Sequence, residues 1–318
     1  MAVFTEVSVD EASAFVAQLG IGALTGFRGI HAGIENSNFF VDTERGHWVL
    51  TVFERLSFEQ LPFYLRLMRH LARCGIPVPE PQADGSGAIL HRLKGKPAAL
   101  VNKLSGGHQL APDADHCAQV GAMLAHMHEA GLGFPLTQPN LRGLAWWVET
   151  VPLVQPHLSP EQRELIDNEL AYQAQLAGSA GHAGLPRGPI HADLFRDNVM
   201  FEGNELTGLF DFYFAGVDTW LFDIAVCLND WCTDLTSGAL DEARASAFVA
   251  AYESERALSH GEVRALPALL RAAALRFWIS RLWDWHLPRP ATLLAPKDPA
   301  HFERVLCSRI AQPWHPPR

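Results

Sequence analysis

Residues 188–211, GPIHADLFRDNVMFEGNELTGLFD, constrain the chain more than any other stretch. Pro189-Ile190-His191 reads as a short strand leading into a loop. His191-x-Asp193 opens that loop, and Asn198 follows five residues after the Asp. Two apolar runs, 198–201 and 205–210, flank Glu202-Gly203-Asn204, which has turn chemistry and predicts a hairpin. A hairpin joins its outer ends, and those ends carry Asn198 and Asp211. One loop and one hairpin therefore bring together a carboxylate, an amide oxygen and a second carboxylate. Phosphoryl transfer asks for that set: an Asp near the attacking hydroxyl, and an Asn plus an Asp to hold magnesium on nucleotide phosphates. Oxygen donors suit a hard cation of that kind. The plainer alternative is an ordinary loop with solvated carboxylates.

The chain around it is long enough for a sizeable core or for two lobes sharing a cleft, with 318 residues, 48% hydrophobic and 19% charged. No apolar run approaches the ~20 residues of a membrane span. The start, MAVFTEVSVDEASAF, carries acids and no basic region, so no secretory signal is read there. Five cysteines, at 74, 117, 227, 232 and 307, form no C-x-x-C pair or metal spacing, and are expected to be reduced thiols in a cytoplasmic protein. The net charge of −10 argues against a nucleic-acid partner, and requires any nucleotide site to be made locally favourable by backbone N–H groups, a few cations and magnesium.

Ser8-Val9-Asp10-Glu11 is a capping box, predicting a helix to Leu19 that Gly20 stops. Strands are expected at 24–31, 36–42 and 47–53, the last two joined by Thr43-Glu44-Arg45-Gly46. Ser57-Phe58-Glu59-Gln60 opens a second helix ending at Gly75, residues 76–81 form an extended linker, and 88–92 and 98–103 read as two more strands. Ser105-Gly106-Gly107 breaks this pattern. Helices are then expected near 113–130, 159–176, 220–233, 240–254 and 262–285, with the catalytic strands among them. The class is α+β, divided into residues 1–104 and 105–318. In His31-Ala32-Gly33-Ile34-Glu35-Asn36-Ser37-Asn38, glycine and small polar residues would let backbone N–H groups approach phosphates, although an ordinary hairpin turn looks similar. His126 and His128, two apart on a helix, do not share a face and are read as structural.

The run His191-Ala192-Asp193-Leu194-Phe195-Arg196-Asp197-Asn198 resembles the catalytic loop of the aminoglycoside phosphotransferase and choline kinase group, relatives of the protein kinases, and Asp211-Phe212-Tyr213 stands where that group keeps its magnesium-binding Asp. Within the group the chain is most similar to the homoserine kinases of threonine biosynthesis. That similarity is carried by Gly33-Ile34-Glu35-Asn36-Ser37-Asn38-Phe39, by 210–215, 223–231 and 273–285, and by Pro296-Lys297-Asp298-Pro299. It implies a two-lobed kinase-like fold, with a small antiparallel-sheet lobe that binds the nucleotide and a larger helical lobe that holds the catalytic loop and acceptor. ATP and Mg2+ are the implied cofactors, and L-homoserine the implied substrate of a cytoplasmic monomer or homodimer.

By the same resemblance Asp193 is the catalytic residue, Asn198 and Asp211 the metal ligands, and Gly33, Asn36, Ser37 and Asn38 a phosphate-binding turn. Asn102 and Lys103 lie in the hinge, where backbone groups of the family meet adenine. Thr51 stands where relatives outside the homoserine kinases place Lys or Arg on the third strand, and Arg55, expected on the same strand face, is a substitute cation. His191 and Asp223 are read as structural, Asp223 bracing the catalytic loop. A zwitterionic acceptor would need a cation and an anion, for which the candidates are Arg276 or Arg281 with Asp230 or Asp284, and Tyr213 beside the metal. Arg271, Arg276 and Arg281 recur every five residues and spiral around their helix. Two alternatives stay open: a kinase for another small alcohol such as choline, methylthioribose or an aminoglycoside, with the tryptophans near 278–285 as a choline cage; or a nucleotide-binding pseudokinase.

Overall fold

Ser8 starts the first helix through its spacing with Glu11. Ser8 Oγ accepts from the Glu11 N–H at 3.2 Å, Glu11 Oε2 accepts from the Ser8 N–H at 2.9 Å, and Gly20 closes the helix in the left-handed conformation. The structure, a computed structural model, describes residues 5–30, 36–287 and 297–317. The expectations for Gly33 and for the end of the first strand at His31 lie outside those residues. The described residues form two compact units, the first ending at Ser105 and the second beginning at Gly106.

In the first unit, α1 (Val9–Leu19) is followed by β1 (Leu24–Ile30), β2 (Asn36–Thr43), β3 (Gly46–Phe53), α2 (Leu61–Arg73), β4 (His91–Leu93) and β5 (Lys96–Asn102). The strands make one antiparallel sheet in the order β1-β2-β3-β5-β4. Ala12, Phe15, Val16 and Leu19 of α1 are buried in one cluster with Phe39, Val41, Leu50, Val52 and Leu100 of the sheet. Two local expectations shift. The helix predicted from Ser57 begins at Leu61, because Gln60 and Leu61 first donate to the Ser57 carbonyl in a separate turn. The strand predicted over 88–92 shortens to His91–Leu93, because Asp84 Oδ1 and its carbonyl hold Ser86, Gly87 and Ala88 in a turn of their own.

The second unit contains α3 (Ala114–Gly131), α4 (Leu144–Val154), α5 (Pro160–Ala177), α6 (Ala180–Ala183), β6 (Arg187–Ile190), β7 (Val199–Glu202), β8 (Glu205–Leu209), β9 (Gly216–Thr219), α7 (Trp220–Trp231), α8 (Glu242–Glu255), α9 (His260–His286) and α10 (Ala300–Ala311). α3 packs on α8, and α7 and α10 pack on α9. The hairpin β7–β8 forms around Gly203, whose φ of 59° meets the turn's demand for a left-handed residue. β6 pairs with β9. Sequence periodicity misses β9, α4, α6 and α10. α4 and α10 begin without a side-chain cap, and α6 is a single turn. The mixed α and β class is as expected, and all five cysteines are free, with Cys117, Cys227 and Cys232 buried. Among the described residues no helix is long and apolar enough to cross a membrane.

Candidate active site

Loop 191–198 is held from one side by a single helix. Asp223, Cys227, Asp230 and Trp231 stand at i, i+4, i+7 and i+8 of α7, a spacing that puts them on one face. Asp223 Oδ2 and Oδ1 accept the backbone N–H groups of His191 at 2.7 Å and Ala192 at 2.8 Å. The Leu194 carbonyl accepts from Trp231 Nε1 at 3.0 Å and from Cys227 Sγ at 3.6 Å. Asp230 Oδ2 accepts from the Arg196 backbone at 2.8 Å and from its Nε at 3.0 Å. Every residue of α7 is buried, so these contacts form in a low-dielectric setting where leaving either partner unpaired is costly.

Two buried histidines beside the loop, His191 and His128, have their tautomers fixed by their neighbours. His191 Nε2 is 2.9 Å from the Phe210 carbonyl, which only accepts, and its Nδ1 receives the Asp193 N–H at 3.3 Å, so the neutral Nε2–H form satisfies both. His128 Nε2 faces Asp223 at 3.2 Å and its Nδ1 faces the Tyr252 hydroxyl at 2.8 Å. Burial lowers the pKa of each ring, with Asp223 opposing the shift, which keeps both neutral.

The hairpin closes the site. The Phe210 N–H donates to the Asn198 carbonyl at 3.1 Å, which sets Asp211 beside Asn198. Asn198 Nδ2 donates to the Asp193 carbonyl at 2.8 Å and lies 3.4 Å from Asp193 Oδ2. Ala192 and Asp211 both have positive φ, 64° and 67°. Non-glycine residues adopt this conformation at a cost, and here it occurs at two of the turns that present carboxylates. Asp193 is half-buried, and its pKa is pushed up to about 7 by burial, with Asp211 and Asp197 adding repulsion and Arg276 and Lys297 opposing it. Burial and Asp211 also raise Tyr213.

The other residues expected near the acceptor separate. Asp230, expected as a substrate anion, gives its Oδ2 to the Arg196 backbone and guanidinium and so braces the loop. Arg271 pairs with buried Glu169 and lies 3.8 Å over Tyr172. Arg281 sits 4.4 Å over Phe302 and donates to the Asp298 carbonyl at 3.1 Å. Arg276 is buried, with Asp193 and Asp284 both acting on its charge, and Asp284 is exposed. Sequence reasoning did not single out Arg196, Arg142, Asp197 or Lys297 for roles here. Lys297 Nζ meets Asp197 Oδ2 at 2.9 Å. The available signal was two acids, Asp223 and Asp230, seven residues apart on a helix otherwise apolar except for Asn229, which predicts two buried partners near the same loop.

The residues expected at the nucleotide lie in the first unit, and strand alternation divides them. Asn38 and Thr51 are cross-strand partners joined by a 2.8 Å hydrogen bond from the Thr51 hydroxyl. Ser37 lies on the opposite face of β2. Its fully buried hydroxyl accepts the Thr5 N–H at 2.8 Å and donates to Glu54 Oε1 at 2.6 Å. Glu54 in turn pairs with Lys96. The Ser37 side chain is therefore a structural link. Asn36 Oδ1 lies 3.4 Å from the Glu54 N–H, Asn102 Oδ1 accepts the Glu80 N–H at 2.6 Å, and Lys103 Nζ lies 4.8 Å over the Phe40 ring. β3 ends at Phe53 and the chain bends at Glu54-Arg55. The alternation expected to carry Arg55 onto the Thr51 face stops short of it, and Arg55 is exposed.

Comparison with known proteins places these features in context. The sequence pattern of the phosphotransferase enzyme family matches residues 26–258. The chain is similar to a homoserine kinase of Polaromonas naphthalenivorans (strain CJ2), 65% identical over 314 residues and 99% of each chain. It is also 56% identical to a homoserine kinase of Janthinobacterium sp. (strain Marseille), over 99% of this chain and 98% of the other. Among solved structures, amicoumacin kinase hAmiN in complex with AMP-PNP, Ca2+ and Ami aligns with a TM-score of 0.69 at 16% identity, over 95% of this chain and 92% of that one, a likeness of fold.

Proposed function

We propose that this chain, which belongs to the phosphotransferase enzyme family, transfers a phosphoryl group from ATP to the side-chain hydroxyl of L-homoserine, giving O-phospho-L-homoserine. The observation that carries the acceptor is the near full-length similarity to relatives named homoserine kinase. ATP as donor follows from the kinase relatives.

In this reading Asp193 aligns the acceptor hydroxyl and takes its proton late in the transfer. A carboxylate raised to about 7 is better matched to that task near neutrality than an ordinary one. The brace from α7 fixes the loop backbone, so positioning is built in before substrate arrives. Asn198 and Asp211 supply oxygen donors for magnesium. Among the described residues no cluster of three or more His, Cys, Asp or Glu side chains is set to hold a metal. Magnesium takes one or two protein oxygens, with phosphates and water completing its shell. Magnesium would neutralise charge on the phosphates during transfer. We place the nucleotide-binding role in the first unit and the acceptor in the second, in a cytoplasmic monomer or homodimer.

An ADP-release assay with the purified chain and Mg-ATP, run across homoserine, choline, methylthioribose and kanamycin, tests the assignment. Homoserine is expected to show the highest kcat/KM. A higher value for another alcohol would replace the acceptor, and no release with any of them would favour a nucleotide-binding pseudokinase.

A further inference from the structure

Two arginines converge on the ring that follows the second metal position. Arg276, midway along α9, is only 3% exposed, and its Nε has no hydrogen-bond partner. Its guanidinium carbon lies 3.7 Å from the centre of the Phe277 ring and 5.2 Å from that of Phe214. Arg142 lies 5.8 Å from the same Phe214 ring and 4.3 Å from Trp146. Phe214 ends the short 3-10 helix Phe212–Phe214 that begins directly after Asp211. A buried cation is ordinarily met by an anion, and Arg142 repels the charge of Arg276.

The second cation is held firmly. The Arg142 N–H donates to Asn140 Oδ1 at 3.0 Å, and Asn140 Nδ2 donates to Asp218 Oδ2 at 3.0 Å. The Val217 N–H donates to the Gln138 carbonyl at 2.6 Å. A Cβ on Gly216 would meet Asn140 Cα at 2.8 Å, so the segment 138–143 is docked against 216–218 with no room to spare. Arg142 is thereby fixed with respect to the strand that follows Asp211 and Phe214.

We propose that Arg276, with Arg142 as its partner across Phe214, receives the α-carboxylate of the amino-acid acceptor and makes the enzyme select an amino acid over the corresponding amino alcohol. This rests on homoserine being the acceptor. A carboxylate supplies what the buried guanidinium lacks, a planar pair of oxygens for its N–H donors. The rings of Phe214 and Phe277 exclude water from the contact and strengthen it. Arg276 also acts on Asp193, the group assigned to the acceptor hydroxyl, which links the cation to the acceptor end of the reaction. Arg142 and Phe214 would thus set specificity without touching the transferred group.

The test compares kcat/KM for homoserine with that for 3-aminopropan-1-ol, which is homoserine without its carboxylate, in the parent, Arg276→Gln and Arg142→Gln, together with the KM for ATP. Should the amino alcohol turn over too slowly, its Ki as a competitor of homoserine supplies the same ratio. The preference for homoserine is expected to fall about tenfold or more in Arg276→Gln and about threefold in Arg142→Gln, with the amino alcohol and ATP little affected. If Arg276→Gln does not fold, half-buried Arg142→Gln and the charge-conserving Arg276→Lys carry the comparison. An equal loss for both acceptors, an unchanged ratio in folded variants, or a rise in the KM for ATP alone overturns the proposal. A parent enzyme that ignores homoserine overturns the acceptor assignment instead.

Discussion

Loop 191–198 and the strand pair β2–β3 both carry closely spaced polar side chains, and they use them in opposite ways. In the loop, backbone groups of His191, Ala192, Leu194 and Arg196 are satisfied from outside, by Asp223, Asp230, Cys227 and Trp231 of α7. Among the described residues the Asp193 carboxylate is left with a long 3.4 Å contact to Asn198. In the strands the backbone satisfies itself through the ladder, and the side chains partner one another: Thr51 with Asn38, and Ser37 with Thr5 and Glu54. A loop can aim a carboxylate when a buried helix supplies its hydrogen bonds. A strand splits its neighbours between two faces, so adjacency in sequence does not make a site there.

The sharpest way to break this comparison is Asp193→Asn. Turnover is expected to fall by about 10²–10⁴-fold, the usual range for a lost general base, and activity within about threefold of the parent would remove Asp193 from the mechanism. The same variant reports on stability. The folded-state pKa of Asp193 is raised from 3.8 to about 7, so the folded chain keeps a proton that the unfolded chain has released between those values. The parent therefore loses stability as pH rises through that window. Asparagine carries no such charge. Without nucleotide and magnesium, Asp193→Asn is expected to melt higher than the parent at pH 8 and to lose that advantage near pH 4. An equal difference at both pH values would contradict it.

A smaller effect separates the two proposed metal positions. Asp211→Ala and Asn198→Ala are both expected to raise the magnesium needed for half-maximal activity several-fold. Asn198→Ala should also lower the melting temperature, because the Asp193 carbonyl loses one of its two donors, keeping the Phe195 N–H at 2.8 Å, and a lost hydrogen bond costs ~0.5–1.5 kcal/mol. A magnesium titration unmoved in both variants would rule out the metal assignment.

The smallest expected changes in activity lie in the first unit. Ser37→Ala should destabilise by ~1–3 kcal/mol while leaving the KM for ATP unchanged, since its hydroxyl serves Thr5 and Glu54. Arg55→Ala is expected to alter that KM by less than about threefold, because the strand ends before it. A tenfold rise in either variant would restore these residues to the nucleotide site and weaken the contrast between loop and strand.

The sequence alone determined the geometry of segment 188–211, because its logic is local. Turn residues at 202–204 fix a hairpin, the hairpin fixes which ends meet, and Asn198 and Asp211 occupy those ends whatever surrounds them. The capping box at Ser8 and the helix stop at Gly20 are local for the same reason. Tertiary structure decided everything that depends on which distant surface a side chain meets. Asp230 offered the same carboxylate as any substrate-binding acid, and only the fold of α7 against the loop, 34 residues away in sequence, committed it to Arg196. Ser37 became a buried link because Thr5, 32 residues away, reaches the core side of β2. Spacing in sequence showed that Arg271, Arg276 and Arg281 spiral around a helix. Packing then gave Arg271 to Glu169, Arg281 to the face of Phe302, and left Arg276 buried beside Phe214. Short-range hydrogen bonds are set by backbone geometry that residue type dictates, whereas the partner of a buried charge is chosen by long-range packing that no local pattern encodes.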